Sequence, residues 1–501
     1  MKINKIAVLG GGSAGLIAAL TLKKQMPDLP VEVVFSADLG VIGVGEGTTA
    51  AFPRHFFEYL KLNPADFYRE AEPTWKLGIH FKWGPHPQGF YYSFQNEYKT
   101  KWPELSRNTG FYCTPETEWV GMVSACMAKA KAFPRKPDGS MHFHKFHAFH
   151  IENRKLVAYL EKQCSLLGVT FLEGKVSLAE RGPGGVAALV LESGQRVIAD
   201  LYVDASGFRS ELLGRAMQEE YLSFENSLFC DRAVIAGWPR SNEPILPYTV
   251  AETMEAGWCW QIEHENWINR GYVYSSRFIT DDAALIEFRQ KNPKIANEPR
   301  VVKFNSGRYR RHWVGNVVGV GNSVGFVEPL EATALQVICL ESSTLADTLK
   351  DSLLEPTPSL VDLYNNYNSR QWDDIRDFLA VHYAFNTRLD TPFWKACRAD
   401  TDLQGAAKLV RFYQENGPSL VGEGVLFAPT NSFGLEGYLA LLVGQGIAHG
   451  KPWTASMEEQ RIWRERLRNF GEHAARGFPM KEALALIRGS DFDFLAGKST
   501  N

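Results

Sequence analysis

The sequence lacks several features that would place it in a specialised protein class. Its 54 Lys and Arg against 57 Asp and Glu leave a net charge of −3, so it has no basic excess of the kind that nucleic-acid-binding domains carry. No apolar run reaches the ~18 residues that a membrane-spanning helix needs. The chain begins with MKINK and a predicted strand, so we expect no secretory signal. These absences predict a cytoplasmic protein with neither a nucleic-acid partner nor a membrane.

Cysteine is scarce and unpatterned. Seven cysteines, an odd number without any CxxC pair, predict reduced thiols rather than a disulfide framework. His142, His144, His147 and His150 offer two metal ligands on one strand face, but no cluster of Cys or carboxylates completes a ligand set. We therefore expect no metal and interpret this stretch as a strand before a helix.

The first residues with a clear pattern form a strand, a glycine turn and a helix. KIAVL (5–9) is an apolar strand, GGGSAG places glycines at Gly10, Gly12 and Gly15, and a helical apolar run follows. In such a turn the first glycine bends the chain, the second admits a pyrophosphate, and the third lets the helix pack on the strand. The pattern predicts a dinucleotide site, and the alternative is a glycine-rich turn without a ligand.

The next strand, VEVVF (31–35), lacks the acid that commonly binds the ribose hydroxyls at its end. Phe35 stands there, with Ser36 and Asp38 as substitutes. The segment GVIGVGEGTT (40–49) has four glycines around Glu46, which predicts a mobile loop near the cofactor rather than a regular element. An ordinary surface loop is the alternative.

Two further strand ends belong to the same site. DLYVDASGFR (200–209) ends a strand at Asp204, and WVGNVVGVGN (313–322) ends another in a glycine loop. Ligands bind at the carboxyl edge of a parallel sheet. The sequence thus predicts a doubly wound, Rossmann-like α/β cofactor domain, interleaved over more than 300 residues.

The most informative stretch is GNSVGFVEPLEATA (321–334). Pro329 cannot lie inside a helix, so a new element should begin between Leu330 and Ala334. Free N–H groups at a helix start attract anions, and Glu331 would stand beside them. An anion site and an acid next to a cofactor indicate the activation of a small anion.

With these motifs, the chain resembles the flavin-dependent halogenases of the tryptophan halogenase family over about residues 1–350. GGGSAG and GVGEGTT resemble its pyrophosphate site and flavin strap, and DASGF resembles the flavin monooxygenase motif. PTWKLGIHF (73–81) resembles the segment with the catalytic lysine, which falls on Lys76. FVEPLEATA resembles EPLESTG, whose active-site glutamate falls on Glu331 and whose halide contacts fall on Thr333 and Ala334.

The resemblance implies a fold of the FAD-dependent monooxygenase type and a halogenase activity. The enzyme would use FAD that a separate flavin reductase has reduced, together with O2 and chloride or bromide. Its substrate would be an electron-rich aromatic such as an indole. Oxygen activated on reduced flavin would oxidise halide to hypohalous acid, which a buried amine can hold while an acid polarises the halogen or accepts the ring proton. The residues that we expect to contact FAD are Gly10, Gly12, Ser13, Ala14, Gly15, Ser36, Gly43, Val44, Gly45, Glu46, Val176, Asp204, Gly321 and Phe326.

Two departures from the family pattern keep other functions open. The motif W-x-W-x-I-P, thought to keep substrate away from the flavin, appears as WCWQIE (258–263), with Glu263 in place of proline. This change favours an FAD-dependent aromatic hydroxylase as the alternative, and a flavoprotein without catalysis is another. Ala334 replaces a glycine, which suits halide contact only if its backbone angles suit alanine.

Two side-chain placements remain open at this point. Lys76 alternates with Trp75 and Leu77, which places it on a cavity face or a solvent face. Alternating segments over residues 225–312 predict an antiparallel sheet that covers the substrate cavity. Trp258 and Trp260 would share one face of that sheet, for gating or for ordinary packing.

The prolines of EPTPS (355–359) mark the predicted domain boundary. We expect an FAD-binding domain with an interleaved substrate sheet over residues 1–355 and a mainly helical region over 356–501. The helical region could close the substrate site or form a homodimer face.

Overall fold

The computed structural model describes residues 2–39, 45–108, 110–114, 118–143, 147–428, 430–451, 453–489, 492–493 and 498–499. The chain forms two compact units, and each unit is assembled from three separate segments. The first comprises Met1–Glu72, Ile151–Phe224 and Asn305–Asp373. The second comprises Pro73–His150, Glu225–Phe304 and Asp374–Asn501.

A six-stranded sheet forms the centre of the first unit. Its strands, in spatial order, are Trp313–Val314, Val317–Gly319, Leu201–Asp204, Ile6–Leu9, Val31–Phe35 and Thr170–Glu173. All neighbouring pairs are parallel except the edge pair of Trp313–Val314 with Val317–Gly319. The inner strands are almost continuously apolar, as parallel strands covered on both faces require. This arrangement confirms the doubly wound Rossmann-like fold.

Helices and small sheets complete the first unit. The helix Ser13–Gln25 follows the glycine turn directly, as predicted. The other α-helices are Ala51–Pro53, Pro64–Glu70, Asn153–Leu166, Ala334–Asp351 and the beginning of Pro358–Phe385, and the π-helices are Arg54–Tyr59 and Glu211–Ala216. The other strands are Glu46–Gly47, Val176–Gly182, Gly185–Leu191, Arg196–Val197, Tyr221–Ser223, Gly307–Tyr309 and Gly325–Phe326.

The first unit extends beyond the predicted division at residue 355, since its last segment ends at Asp373. The side chain of Asn365 accepts hydrogen bonds from the backbone N–H groups of His312 and Trp313, both at 2.8 Å. The indole N–H of Trp372 donates to Glu341 at 2.9 Å. The prolines therefore end one helix, while these side chains hold the start of the next helix on the same unit.

A seven-stranded sheet dominates the second unit. Its strands, in spatial order, are Arg300–Lys303, Arg232–Pro239, Trp267–Tyr274, Gly257–Glu263, Thr249–Met254, Gly78–Lys82 and Phe90–Ser93. All pairs are antiparallel except Thr249–Met254 with Gly78–Lys82. The antiparallel sheet predicted for residues 225–312 is therefore present, extended by two strands from the segment before it.

The rest of the second unit is mainly helical. Its helices are Met122–Ala128, Asp281–Lys291, Pro392–Asp400, Ala407–Asn416, Gly434–Gly444, Met457–Ala475, Met480–Arg488 and the end of Pro358–Phe385. Its remaining strands are Thr74–Lys76, Ala148–Ile151, Phe492–Asp493 and Lys498–Ser499. Ser456 and Glu459 form a capping box that satisfies backbone donors where the helix Met457–Ala475 begins.

Two expectations from composition can be compared with the described residues. Each of the seven cysteines is a buried free thiol. Across the described ranges, no helix is both long and apolar enough to cross a membrane.

The third glycine of the turn should be essential for stability. A Cβ on Gly15 would lie 1.9 Å from the carbonyl oxygen of Gly10, so Gly15→Ala must push the helix off the strand. We expect a cost of about 1–3 kcal/mol, measured as a lower Tm in the absence of flavin. Gly12→Ala is the matched control, because a Cβ there meets no atom within 4 Å. Equal Tm values for the two variants would contradict this view of the turn.

Candidate active site

The first unit contains a cavity of about 690 Å³ at the carboxyl edge of its parallel sheet. The turn after the first strand, the end of the second strand and the loop Ala205–Arg209 all line it. The start of the helix Ala334–Asp351 contributes Ala334, Leu335 and Ile338. The volume is typical of a cofactor site, and its position is where doubly wound folds bind nucleotides.

The glycine turn fits a pyrophosphate. Gly10 has a φ of +128°, and a Cβ there would lie 2.3 Å from the carbonyl oxygen of Ala205. Gly12 lines the cavity and faces open space. The helix that begins at Ser13 has no acidic residue in its first turn, so its N–H groups and dipole remain available to an anion. The turn thus supplies both the space and the polarity that a dinucleotide phosphate needs.

The residues that we expected to contact FAD fall into three groups. Those that line the cavity are Gly10, Gly12, Ser13, Ala14, Ser36, Glu46 and Val176. Those that lie outside its lining are Gly15, Gly45, Asp204, Gly321 and Phe326. Gly43 and Val44 lie outside the described residues. At the end of the second strand Ser36 lines the cavity, whereas Asp38 does not.

Asp204 lies outside the cavity lining and binds the backbone of the loop and turn that follow its strand. Its carboxylate accepts hydrogen bonds from the N–H groups of Leu212 and Leu213, both at 2.8 Å, and from that of Ser206 at 3.0 Å. Burial raises the pKa of Asp204, and these hydrogen bonds act in the opposite direction. Its role is to hold the loop that lines the cavity.

The sequence did not reveal the wall contributed by the helix Asn153–Leu166. Asn153 and Glu161 line the cavity, and the hydroxyl of Ser13 donates to Asn153 Oδ1 at 2.9 Å. These partners are 140 residues apart, and no local pattern links them. Glu161 is one of three glutamates in the described lining of the cavity, with Glu46 and Glu211.

The segment around Glu331 forms a short turn followed by a helix. Pro329–Glu331 is a 3-10 turn, Ala332 is left-handed with a φ of 56°, and the helix begins at Ala334. Glu331 and Thr333 are each only 2% exposed. Ala334 has helical backbone angles, which alanine adopts without strain, so the missing glycine is no obstacle here. The helix start that the proline predicted is confirmed.

The strap residues contact this helix. The hydroxyl of Thr49 donates to Gln336 Oε1 at 2.6 Å, and both side chains are buried. Glu46 lines the cavity, and burial raises its pKa to about 7. Thr49, at the described end of the strap, is therefore held against the helix whose first residues line the cavity.

Lys76 lies in the second unit and is fully buried, with 0% exposure. Its strand, Thr74–Lys76, pairs antiparallel with Ala148–Ile151, so that Lys76 faces Ala148. Its ammonium nitrogen lies 5.4 Å from the centre of the Phe94 ring. The solvent-facing alternative for Lys76 is therefore wrong, and the lysine belongs to the interior.

Buried hydrogen bonds and an ion pair connect this strand with Glu263 and its neighbours. The hydroxyl of Thr74 donates to the carbonyl oxygen of Glu263 at 2.5 Å. The Glu263 carboxylate pairs with Arg240 and accepts a hydrogen bond from Gln261 at 2.6 Å. The residue in place of the motif proline thus enters an ion pair, and the sequence did not identify its partner Arg240.

The pKa of His150 depends on burial and on the charged groups in this region. Its pKa lies well below its usual value, first because of burial and then because of the charges of Lys76, His264 and Arg240. One ring nitrogen lies 2.8 Å from the hydroxyl of Thr249. Of the other histidines in this stretch, His144 lies outside the described residues. The described residues contain no group of three or more His, Cys, Asp or Glu that could hold a metal.

Trp258 and Trp260 share one face of their strand, as predicted. Their ring centres are 6.0 Å apart, and both side chains are buried. Among the described residues neither indole N–H has a hydrogen-bond partner. A Cβ on Gly271 would lie 1.9 Å from the Trp260 ring, so the glycine provides room for that ring.

Comparisons with known proteins agree with this geometry. A family model described as "Tryptophan halogenase" matches residues 5–459. The tryptophan 7-halogenase RebH of Lentzea aerocolonigenes is 32% identical over 424 residues, covering 79% of each chain. The structure of MibH, a lanthipeptide tryptophan 5-halogenase, has a TM-score of 0.88 and 37% identity, covering 97% of this chain and 93% of MibH. BrvH, a flavin-dependent halogenase from Brevundimonas sp. BAL3, has a TM-score of 0.80 and 25% identity, covering 97% of this chain and 100% of BrvH.

The family match runs through the glycine turn, the strand of Lys76 and the helix after Glu331 alike. The relatives are halogenases, so the hydroxylase alternative is not favoured. The chain belongs to the tryptophan halogenase family and is a flavin-dependent halogenase.

Proposed function

We propose that this enzyme halogenates an indole or a similarly electron-rich aromatic ring, using O2, chloride or bromide, and FAD reduced by a separate flavin reductase. The observation that carries the proposal is the full burial of Lys76 in a chain of this family. RebH is named as a tryptophan halogenase and MibH as one that acts on a lanthipeptide. Both free tryptophan and a peptide-borne indole are therefore candidate substrates.

The pyrophosphate of the flavin would be held by backbone N–H groups. The turn at Gly10–Ala14 and the start of the helix Ser13–Gln25 would receive the pyrophosphate, and Ser36 and Glu161 are within the same cavity for the ribose. When bound and reduced, FAD activates O2 so that halide is oxidised to hypohalous acid. The remaining work belongs to the protein.

Lys76 would hold the hypohalous acid. Its amine can bind the oxidant by hydrogen bond, or it can lose an N–H proton and take the halogen as a haloamine while the oxygen leaves as water. Its full burial, with the Phe94 ring nearby, keeps bulk water away from the oxidant. The flavin cavity and Lys76 belong to different segments of the chain, so the halogenating step can be separated by mutation from flavin binding.

Glu331 and the helix that starts at Ala334 would supply the other groups. The N–H groups at a helix start favour a halide, and Thr333 and Ala334 stand there. Glu331 is buried and can polarise the oxidised halogen or accept the proton that leaves the aromatic ring. A ring proton must leave for aromaticity to return, so a base near the substrate is a chemical requirement.

The reaction class can be tested directly. The enzyme is incubated with a flavin reductase, FAD, NADH and bromide, together with a panel of free indoles and tryptophan-containing peptides. A product with the two-isotope pattern of bromine supports the proposal. A mass increase of one oxygen that does not depend on halide would overturn it in favour of hydroxylation.

Lys76→Ala should abolish halogenation while flavin binding and O2 consumption stay close to wild type. The reason is that the amine acts only after the halide has been oxidised. Lys76→Met is the matched control, because it removes the amine but keeps most of the buried volume. Unchanged brominated product from either variant would remove Lys76 from the mechanism.

Gly12→Val should prevent FAD binding without unfolding the protein. The side chain would occupy the space for the pyrophosphate, while the extended backbone at Gly12, with φ −85°, accepts valine. Fluorescence quenching gives the flavin affinity and thermal unfolding gives the stability. Wild-type FAD affinity in this variant would show that the turn is only structural.

Glu331→Gln should slow halogenation by about 10²–10⁴-fold, since a neutral isostere can neither accept a proton nor polarise halogen by charge. Glutamine keeps the size of the buried side chain, so the variant should fold. If Glu331 only stabilises the helix start, turnover would instead be normal with a slightly lower Tm. Measuring product formation and Tm on the same preparation separates these two roles.

A further inference from the structure

We propose that Glu263, with its partner Arg240, is a positioning element that aims Lys76 through Thr74. This inference rests on the proposed role of Lys76 and extends it to residues with no chemical step of their own. It also explains how the chain replaces the proline of the family motif with a charged residue.

The link from Glu263 to Lys76 is short. The hydroxyl of Thr74 donates to the carbonyl oxygen of Glu263 at 2.5 Å, and the Thr74 side chain is 1% exposed. Thr74 and Lys76 lie two residues apart on one strand, so their side chains point to the same face. A displacement of the backbone at Glu263 would therefore be passed to the strand that carries the lysine.

Glu263 is itself fixed by its carboxylate. Gln261 donates to one oxygen at 2.6 Å, and Arg240 pairs with the other. The Arg240 guanidinium also donates to the carbonyl oxygens of His264 at 3.0 Å and Pro244 at 2.8 Å. Arg240 and Glu263 have side-chain exposures of 2% and 1%, so the pair joins two backbone segments inside the protein.

Arg240 and Glu263 form a matched pair. Proline at position 263 would retain the carbonyl that Thr74 uses but leave the Arg240 charge buried without a carboxylate. Breaking a buried ion pair on one side is strongly destabilising, whereas replacing both partners with apolar groups can be neutral. The pair therefore does the work of the motif proline, fixing the backbone at this point by electrostatics rather than by a ring.

The pair also belongs to the electrostatic surroundings of Lys76. Lys76 and Arg240 both lower the pKa of the buried ring of His150, after burial itself, and the carboxylate of Glu263 pairs with Arg240. Burial raises the pKa of Tyr248, and the charge of Glu263 acts in the same direction. Glu263 thus neutralises Arg240, whose charge, like that of Lys76, acts on His150.

Positioning matters because hypohalous acid is diffusible. A displacement of about 1 Å can cost on the order of 10²-fold in rate when two groups must meet in one geometry. If Lys76 is misaimed, the oxidant should leave the enzyme instead of reaching the ring. Oxidant leakage is therefore the specific sign of a positioning defect.

The test compares Thr74→Val with Thr74→Ser. Valine keeps the shape and strand preference of threonine but removes the hydroxyl, whereas serine retains the hydroxyl. The first readout is the yield of brominated substrate divided by the yield of free oxidant, with each yield measured per O2 consumed. A 1,3-dione trap captures the free oxidant. A second readout needs no flavin: trace acetic anhydride labels amines according to their accessibility and pKa, and peptide mass spectrometry reports the labelling of Lys76 as pH is varied.

Thr74→Val should lower the product-to-leak ratio by about ten-fold or more while O2 consumption is unchanged, and it should alter the labelling profile of Lys76. Thr74→Ser should restore both readouts. A wild-type ratio in Thr74→Val, or equal defects in both variants, would overturn the inference. A purely structural role would lower Tm without changing the ratio per flavin site.

A second pair of variants tests the ion pair. Glu263→Pro alone should lower Tm and the product-to-leak ratio, and the double variant Glu263→Pro with Arg240→Leu should recover both. Failure of the double variant to recover either quantity would contradict the matched-pair argument. The wild-type enzyme separates this inference from the proposed function: absence of any brominated product from wild type would overturn the proposed function, whereas brominated product from wild type with an unchanged ratio in Thr74→Val would overturn only this inference.

Discussion

The rest of this structure depends on one constraint: its buried charged side chains need partners. Lys76, Asp204, Glu331 and the pair of Arg240 with Glu263 are all buried, and each unpaired buried charge would cost several kcal/mol. The protein meets this cost with specific partners, such as the backbone N–H groups around Asp204. Such partners fix geometry as well as energy, because they work only at hydrogen-bond distances.

The parts of the fold that sequence could predict are those set by local patterns. The strand, glycine turn and helix at the amino terminus follow from short-range rules of packing and backbone conformation. The helix start at Ala334 follows from Pro329, and the shared face of Trp258 and Trp260 follows from the period of a strand. In each case the cause and the effect lie within a few residues of each other.

The parts that sequence could not predict depend on partners far apart in the chain. Asn153 reaches the turn at Ser13 across 140 residues. Arg240 meets Glu263 because the strands Arg232–Pro239 and Gly257–Glu263 both pair with Trp267–Tyr274, and nothing in either segment indicates this. The division at residue 355 was placed by prolines, whereas Asn365 and Trp372 hold the following helix to the first unit. Prolines mark the end of a helix, whereas long-range hydrogen bonds determine the unit to which the next helix belongs.

The two glycines at Gly12 and Gly15 have opposite surroundings, and this contrast affects how the family can diversify. At Gly15 the fold itself forbids a side chain, whereas at Gly12 a Cβ would meet open space. With the proposed role of Gly12, a single substitution there would remove flavin binding and leave the scaffold intact. A duplicated copy could abandon redox chemistry and persist as a folded protein, available for selection on another ligand of the same cavity.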